Sequence, residues 1–331
     1  MLKRMRLTVR WEFWPFEVFY LPVYFYWLWL SLRARSPVFF AASNPLMEWG
    51  GFMEYSKFRV LEQIPQAYRP VMQLFNPPFS GREQDTLQIN FPLIAKPDKG
   101  ERGRGVRRIE SRPALQRYLE QATDSVIVQE LVDLPLEFGV MYHRMPDKNE
   151  GRITSLMQRE FLHVLGDGRR SVIELLRHSE RNYRYATKIA RYYPSYTKKI
   201  LAKGERLLVE PIGNHSRGTI FRNQNHRITP ELERTFDRLS TAIDGYFFGR
   251  YDLKAASWDD LYAGKVQVIE LNGANSEPAH IYDPNMSLGT AYRDLFRHWR
   301  TLYRVSRGNH RLGVPYPTWG EVLNLLRMRW G

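Results

Sequence analysis

The sequence contains no cysteine, which excludes disulfides, thiolate nucleophiles and cysteine-based zinc sites together. It also lacks a Walker A motif, a Rossmann glycine fingerprint, internal repeats and low-complexity tracts. No small-residue cleavage site follows its one long apolar run, which argues against a signal peptide. Acidic residues are the scarcer charge, 35 Asp and Glu against 49 Lys and Arg, for a formal net charge of +14. A polyanionic partner is therefore expected, whether phosphates, an acidic membrane face or nucleic acid. Nucleic acid is the least favoured, because the basic residues are dispersed and no recognition module is present. The cysteine-free composition suits a reducing compartment, so the chain is expected in the cytoplasm, with the inner face of the membrane as a further expected location.

What is present begins with size: 331 residues, 43% of them apolar, can bury one large core or two to three smaller ones. Near the N-terminus, Phe13 to Leu32 is a nearly unbroken apolar and aromatic run with basic residues on both flanks. Its length matches a bilayer span. Glu17, Pro15, Pro22 and a concentration of aromatic rings, a residue class typical of interfaces, count against spanning. Three placements stay open: a segment lying on the membrane through residues 10–35, a buried or homo-oligomer-forming helix, and a true span.

From 41 to 80 the chain is rich in Pro, Asn and Gly and reads as loops joining short elements. Strands are expected at Phe91 to Ala95, Ser125 to Val128, Leu136 to Tyr142 and Thr154 to Val164. Helices are expected from Pro113 to Gln121, near Ser111, and from a Ser171/Glu174 capping box through Leu176. Further elements begin near Leu207. They include a helix from Pro230, capped by Thr229, to about Ile243, then strands Gly249 to Ala255 and Lys265 to Leu271 separated by a polar loop. Helical patterns from Ser287 to Val305 and Thr318 to Arg329 close the chain, and Thr318 with Glu321 forms another capping box. Antiparallel strands mixed with helices indicate an α+β class.

Two constellations carry chemistry. Lys96 ends a strand and precedes a loop with Gly100, Arg102, Gly103, Arg104 and Gly105. Glycines let backbone N–H groups approach anionic oxygens, and the basic side chains supply charge and forked donors, so this is phosphate-binding chemistry. An ordinary solvated Gly/Arg turn is the competing reading. The second constellation places Arg250, Asp252 and Lys254 on one strand and Glu270 and Asn272 on the next. Residues two apart share a strand face. With Asp252 opposite Glu270, two carboxylates and an amide oxygen converge as magnesium requires, leaving phosphates to complete the octahedron. The competing reading is an exposed, salt-bridged sheet face.

Together these segments resemble the ATP-grasp superfamily over about 190 residues, from Phe91 to near Pro284. Phe91-Pro92-Leu93-Ile94-Ala95-Lys96-Pro97-Asp98 with its glycine loop looks like the entry strand and phosphate loop. Val126 to Val132, with Gln129, Glu130, Leu131 and Val132, looks like the hinge where backbone groups and an acidic side chain read adenine. Glu137, in Leu136 to Val140, is similar to the glutamate that binds the ribose hydroxyls. Gly249-Arg250-Tyr251-Asp252 and Val268-Ile269-Glu270-Leu271-Asn272-Gly273 match the closing metal motif. The resemblance implies that Asp252 and Glu270 hold one Mg2+ and Glu270 and Asn272 a second, with Mn2+ as a substitute. Within the superfamily the D-alanine:D-alanine ligase-like and cyanophycin synthetase-like carboxylate-amine ligases are most similar, through Leu165 to Leu175 and Gly213 to Thr219. Residues 1–80 depart from the parallel α/β substrate domain of those ligases.

The resemblance implies ATP, magnesium and small-molecule carboxylate and amine substrates, joined through an acylphosphate. Lys96 would contact the α- and β-phosphates and Arg250 the transferring group. His215 is a candidate base or a surface residue, and His280 a pocket or structural residue. The implied organisation is a leader at 1–40, a linker or substrate-side region at 41–90, the ATP-grasp domain at 91–285 and C-terminal helices at 286–331. A phosphotransferase using the same site and a membrane-associated nucleotide-binding regulator are the alternatives.

Overall fold

The computed structural model describes residues 11–100, 103–210, 213 and 218–330. The aromatic run forms helix α1 (Phe16–Ala34) and keeps Pro22 inside it. After α1 the chain makes short turns and helix α2 (Lys57–Glu62), whose N-cap Ser56 accepts the Arg59 N–H. The first sheet then forms from β1 (Met72–Phe75), β2 (Leu93–Pro97), β3 (Arg107–Ile109) and β4 (Val126–Glu130), with helix α3 (Arg112–Glu120) between β3 and β4. Its order is β1-β4-β2-β3, all antiparallel. One face of this sheet, through Leu93, Ala95, Val126 and Val128, packs with Leu115 and Leu119 of α3. Residues of the opposite register, Lys96 with Ile127 and Ile94 with Gln129, share the other face.

The second sheet contains β5 (Leu136–Arg144), β6 (Gly151–Glu160), β9 (Ile220–Asn223), β10 (Phe248–Ala255) and β11 (Val266–Asn272), in the order β11-β10-β5-β6-β9. A small pair, β7 (Leu162–Leu165) and β8 (Arg206–Glu210), packs on helices α4 (Val172–His178) and α5 (Ala186–Tyr192). The Ser171/Glu174 capping box is present at α4. Helix α6 (Pro230–Thr241), capped by Thr229, packs Leu232, Phe236 and Leu239 under the second sheet against Phe138, Val140, Tyr251 and Leu253. That cluster is the largest core. Helix α8 (Leu288–Arg311) covers the far end of the sheet with Leu302 and Val305 and meets α1 through Leu295 and Ala291. Helix α9 (Trp319–Trp330) follows, and Thr318 and Glu321 bond reciprocally at its start.

The architecture is the α+β arrangement of antiparallel sheets expected from the sequence. Three local readings change. The segment Thr154 to Val164 is two strands, β6 and β7, rather than one, with Phe161 between them. The polar loop between β10 and β11 contains helix α7 (Trp258–Ala263), for which Ser257 accepts the Asp260 N–H and Gly264 makes the left-handed end. Ser111 occupies the N-cap of α3 without a side-chain cap bond.

Candidate nucleotide and metal site

Asp252 and Glu270 face one another across β10 and β11, and Arg250 faces Asn272. Simple alternation does not produce this arrangement. Val266 and Val268 of β11 point into the core, so an unbroken period of two would send Glu270 and Asn272 there as well. The register shifts: Leu253 pairs with Val268 while Asp252 pairs with Glu270, so Ile269 is an extra residue. This bulge turns Glu270 and Asn272 to the opposite face. Lys96 of the first sheet donates from Nζ to the Ile269 carbonyl at 3.0 Å. The bulge therefore orients the acidic ribbon and gives the first sheet a direct contact with the second.

Asp252 is buried, with 2% of its surface exposed. Its Oδ1 accepts Arg250 Nε at 2.7 Å, and its Oδ2 accepts Arg250 Nη2 at 3.1 Å and Arg159 Nη2 at 2.9 Å. Arg159, on β6, also bonds Glu137 of β5. One guanidinium thus joins the residues that the resemblance assigns to ribose and to metal. Asn272 donates weakly to Asp252 Oδ2 at 3.5 Å, and its Oδ1 accepts from Tyr55 at 3.3 Å. Glu270 pairs with Lys57 of α2 at 3.0 Å. Burial opposes the Glu270 charge, but Lys57 and Lys96 outweigh it and hold the carboxyl well below its usual range. The face is salt-bridged but mostly enclosed: Asp252, Glu137 and Arg159 are nearly buried while Glu270 keeps 31% of its side chain exposed, and unpaired charge at the enclosed positions would be costly.

Lys96 is buried, and desolvation lowers its pKa from 10.5 to about 8 even with Glu270 opposing the shift. Asp98, at the start of the glycine loop, accepts from the Ser56 hydroxyl at 3.0 Å and the Phe58 N–H at 2.8 Å, fastening the loop to α2. Gly100, Gly103 and Gly105 all have positive φ, so the loop backbone takes conformations that side chains disfavour. Arg104, Arg107 and Arg108 are exposed; Arg107 lies over the Tyr118 ring and Arg108 pairs with Glu110. Arg102 lies outside the described residues.

In the hinge, Gln129 is 3% exposed, and its Oε1 has no hydrogen-bond partner among the described residues. Glu130 faces outward, with Oε2 near the Val71 N–H at 3.4 Å. Lys254 of β10 donates to the Val132 carbonyl at 3.0 Å, tying the hinge to the second sheet; Leu131 lies between, half-buried. A Cβ at Gly213 would stand 2.9 Å from Arg159 Cδ and 3.0 Å from Glu137 Oε1, closer than ordinary contact. His215 lies outside the described residues. His280 is fully enclosed, bonded to Ser155 at 2.7 Å and Asp294 at 3.2 Å, and serves as a strut between β6 and α8.

Among the described residues no three His, Cys, Asp or Glu side chains form a metal cage. Magnesium does not need one. Two carboxylates and an amide oxygen at facing strand positions fit a hard ion that takes its remaining oxygens from phosphates. Residues that sequence reasoning missed are Arg159, Lys57 and Tyr55.

No family model matches the chain, and no curated protein does. Among solved structures it is similar to D-alanine–D-alanine ligase from Bacillus anthracis, at 14% identity over 82% of this chain and 72% of that one, with a TM-score of 0.46. It is also similar to the VanG D-Ala:D-Ser ligase from Enterococcus faecalis, at 15% identity, covering 75% of this chain and 61% of that one, TM-score 0.41. A third is a bifunctional glutathione synthetase from Pasteurella multocida, at 17% identity, covering 73% and 36% respectively, TM-score 0.37. The chain thus spans less than two thirds of the length of the VanG ligase and little more than a third of the synthetase. At this level of identity and superposition, the likeness assigns no activity to this chain.

Proposed function

We propose that the chain is an ATP-grasp enzyme that uses ATP to activate a carboxylate and passes the acyl group to an amine. The observation that carries this reading is the Lys96 contact with the Ile269 bulge, which sets a buried cation beside the Asp252/Glu270/Asn272 ribbon. A triphosphate lying between the glycine loop and that ribbon meets basic groups on one side and metal donors on the other. Magnesium, held by Asp252, Glu270 and Asn272, would supply charge neutralisation on the phosphate oxygens. Lys96 and Arg250 would orient the polyphosphate, Glu137 would accept from the ribose hydroxyls, and the free Gln129 acceptor suits an exocyclic amino group of a base.

In the first step a carboxylate oxygen bonds to the γ-phosphorus and the β–γ bridging bond breaks, releasing ADP. In the second, the amine nitrogen bonds to the acyl carbon, phosphate leaves and the nitrogen gives up a proton. The glycine loop excludes water that would otherwise hydrolyse the acylphosphate. A screen of amino acids and short peptides for magnesium-dependent ADP release tests the reading, with Glu270→Gln as control. Release that requires both a carboxylate and an amine, and is lost in the variant, is expected. Release with a single acceptor would make the enzyme a phosphotransferase, and unchanged activity in Glu270→Gln would overturn the metal assignment.

A further inference from the structure

Helix α1 divides sharply into two faces. Phe19, Tyr20, Val23, Leu30 and Ser31 are buried, and the inner face rests on α8. On the opposite side Val18, Leu21, Phe25, Leu28 and Leu32 are exposed, from 49% at Leu28 to 71% at Leu32. At about 100° per residue these five fall within an arc of roughly 80°. Trp29 borders the stripe on one side and is likewise exposed; on the other side lie the exposed Tyr24 and, at the start of the helix, Glu17. Arg33 lies over the Trp29 ring at 4.8 Å, and Arg33 and Arg35 are exposed at the end of the helix.

We infer that this outer face of α1 docks on the surface of an anionic lipid bilayer. A continuous apolar stripe of this length is unusual on a protein exposed only to water. Aromatic rings beside the stripe and arginines at its end match the chemistry of the interface, where rings sit at headgroup level and cations meet lipid phosphates. The formal charge of +14 complements such a surface, whereas stacking the stripe against a second copy would bring two strongly cationic chains together. The helix lies along the bilayer: no helix among the described residues is long and apolar enough to cross a membrane, and the inner face of α1 is already occupied. The inference does not depend on the nucleotide reading.

Flotation of the full-length protein with phosphatidylcholine vesicles, with and without phosphatidylglycerol, tests it. The protein should float with the anionic vesicles, less with neutral ones, and less as salt rises. Leu21→Glu with Phe25→Glu should reduce the bound fraction at least tenfold with an unchanged thermal transition, since both positions are exposed. Arg33→Glu should weaken binding to anionic vesicles selectively, a check independent of the apolar substitutions. Absence of binding to either vesicle overturns the inference, as does equal binding by the double variant. Sedimentation velocity showing a dimer that the same substitutions dissolve, without vesicle binding, would assign the face to a second copy instead.

Discussion

Arg159 Nη2 stands 2.9 Å from Asp252 Oδ2, and the same guanidinium holds Glu137, so two carboxylates on different strands share one buried cation. Both carboxylates raise the Arg159 pKa, against the desolvation that opposes its charge. Arg159→Met leaves Glu137 without this partner and Asp252 with Arg250 and the weak Asn272 contact. A loss of ~3–5 kcal/mol is expected on breaking a buried pair from one side. Urea unfolding measures it, and magnesium with nucleotide should restore more stability to the variant than to the parent protein, because the freed carboxylates then meet a cation.

On the proposed function, Lys96 sets the pH dependence of nucleotide binding. Desolvation places its pKa at about 8, so the ammonium is largely protonated below that pH and neutral above it. Binding a triphosphate favours the charged form, so affinity falls above pH 8, approaching tenfold per pH unit while a full proton must be taken up, ~1.4 kcal/mol. Calorimetry in buffers of different ionisation enthalpy should register proton uptake above pH 8 and little below. Lys96→Met should abolish this linkage and weaken binding about ten- to a hundredfold, the scale of a charge-assisted contact.

Glu277 is held by the Tyr20 and Tyr282 hydroxyls, the latter at 3.0 Å. Burial lifts its pKa from 4.5 to about 7, although the Tyr282 bond works the other way. The folded state therefore keeps a proton that the unfolded chain has lost. The resulting stabilisation is complete below pH 4.5 and disappears as pH rises through 7. Replacing the acid by an amide, Glu277→Gln, should flatten the pH dependence of stability across this window, as read by thermal unfolding at several pH values.

Gly105 tests the proposed phosphate loop by conformation alone. Its φ is +75°, and a Cβ there would stand 2.7 Å from Pro97 Cγ, part of a rigid ring. Gly105→Ala should cost about 1–3 kcal/mol of local strain. The expected signature is weaker nucleotide binding in a titration, with the far-ultraviolet circular dichroism unchanged.

Much of this was legible before folding. Facing register of Asp252 and Glu270 follows from the spacing of two strands, and the boxes at Ser171 and Thr318 announce their helices. Helix α7 was read as a polar loop, although Ser257 and Asp260 with Gly264 form a start and stop signal there. The Ile269 bulge was not: the side-chain pattern Val266, Val268, Glu270 reads as one face, and only pairing with β10 reveals the inserted residue. Arg159 carries no local signal, because its importance comes from adjacency of β5, β6 and β10. Lys57 reaches Glu270 from a helix more than two hundred residues earlier, a distance that no motif spans.

The Tyr20 hydroxyl holds Glu277, and the Glu277 carbonyl in turn accepts Arg250 Nη1 at 3.3 Å. Trimming the protein to begin beyond α1, a common remedy for a greasy leader, would therefore strip the rear wall from the arginine beside Asp252. On the proposed function, a shortened version that stays in solution lacks this support, and its silence in an assay says nothing about the intact chain.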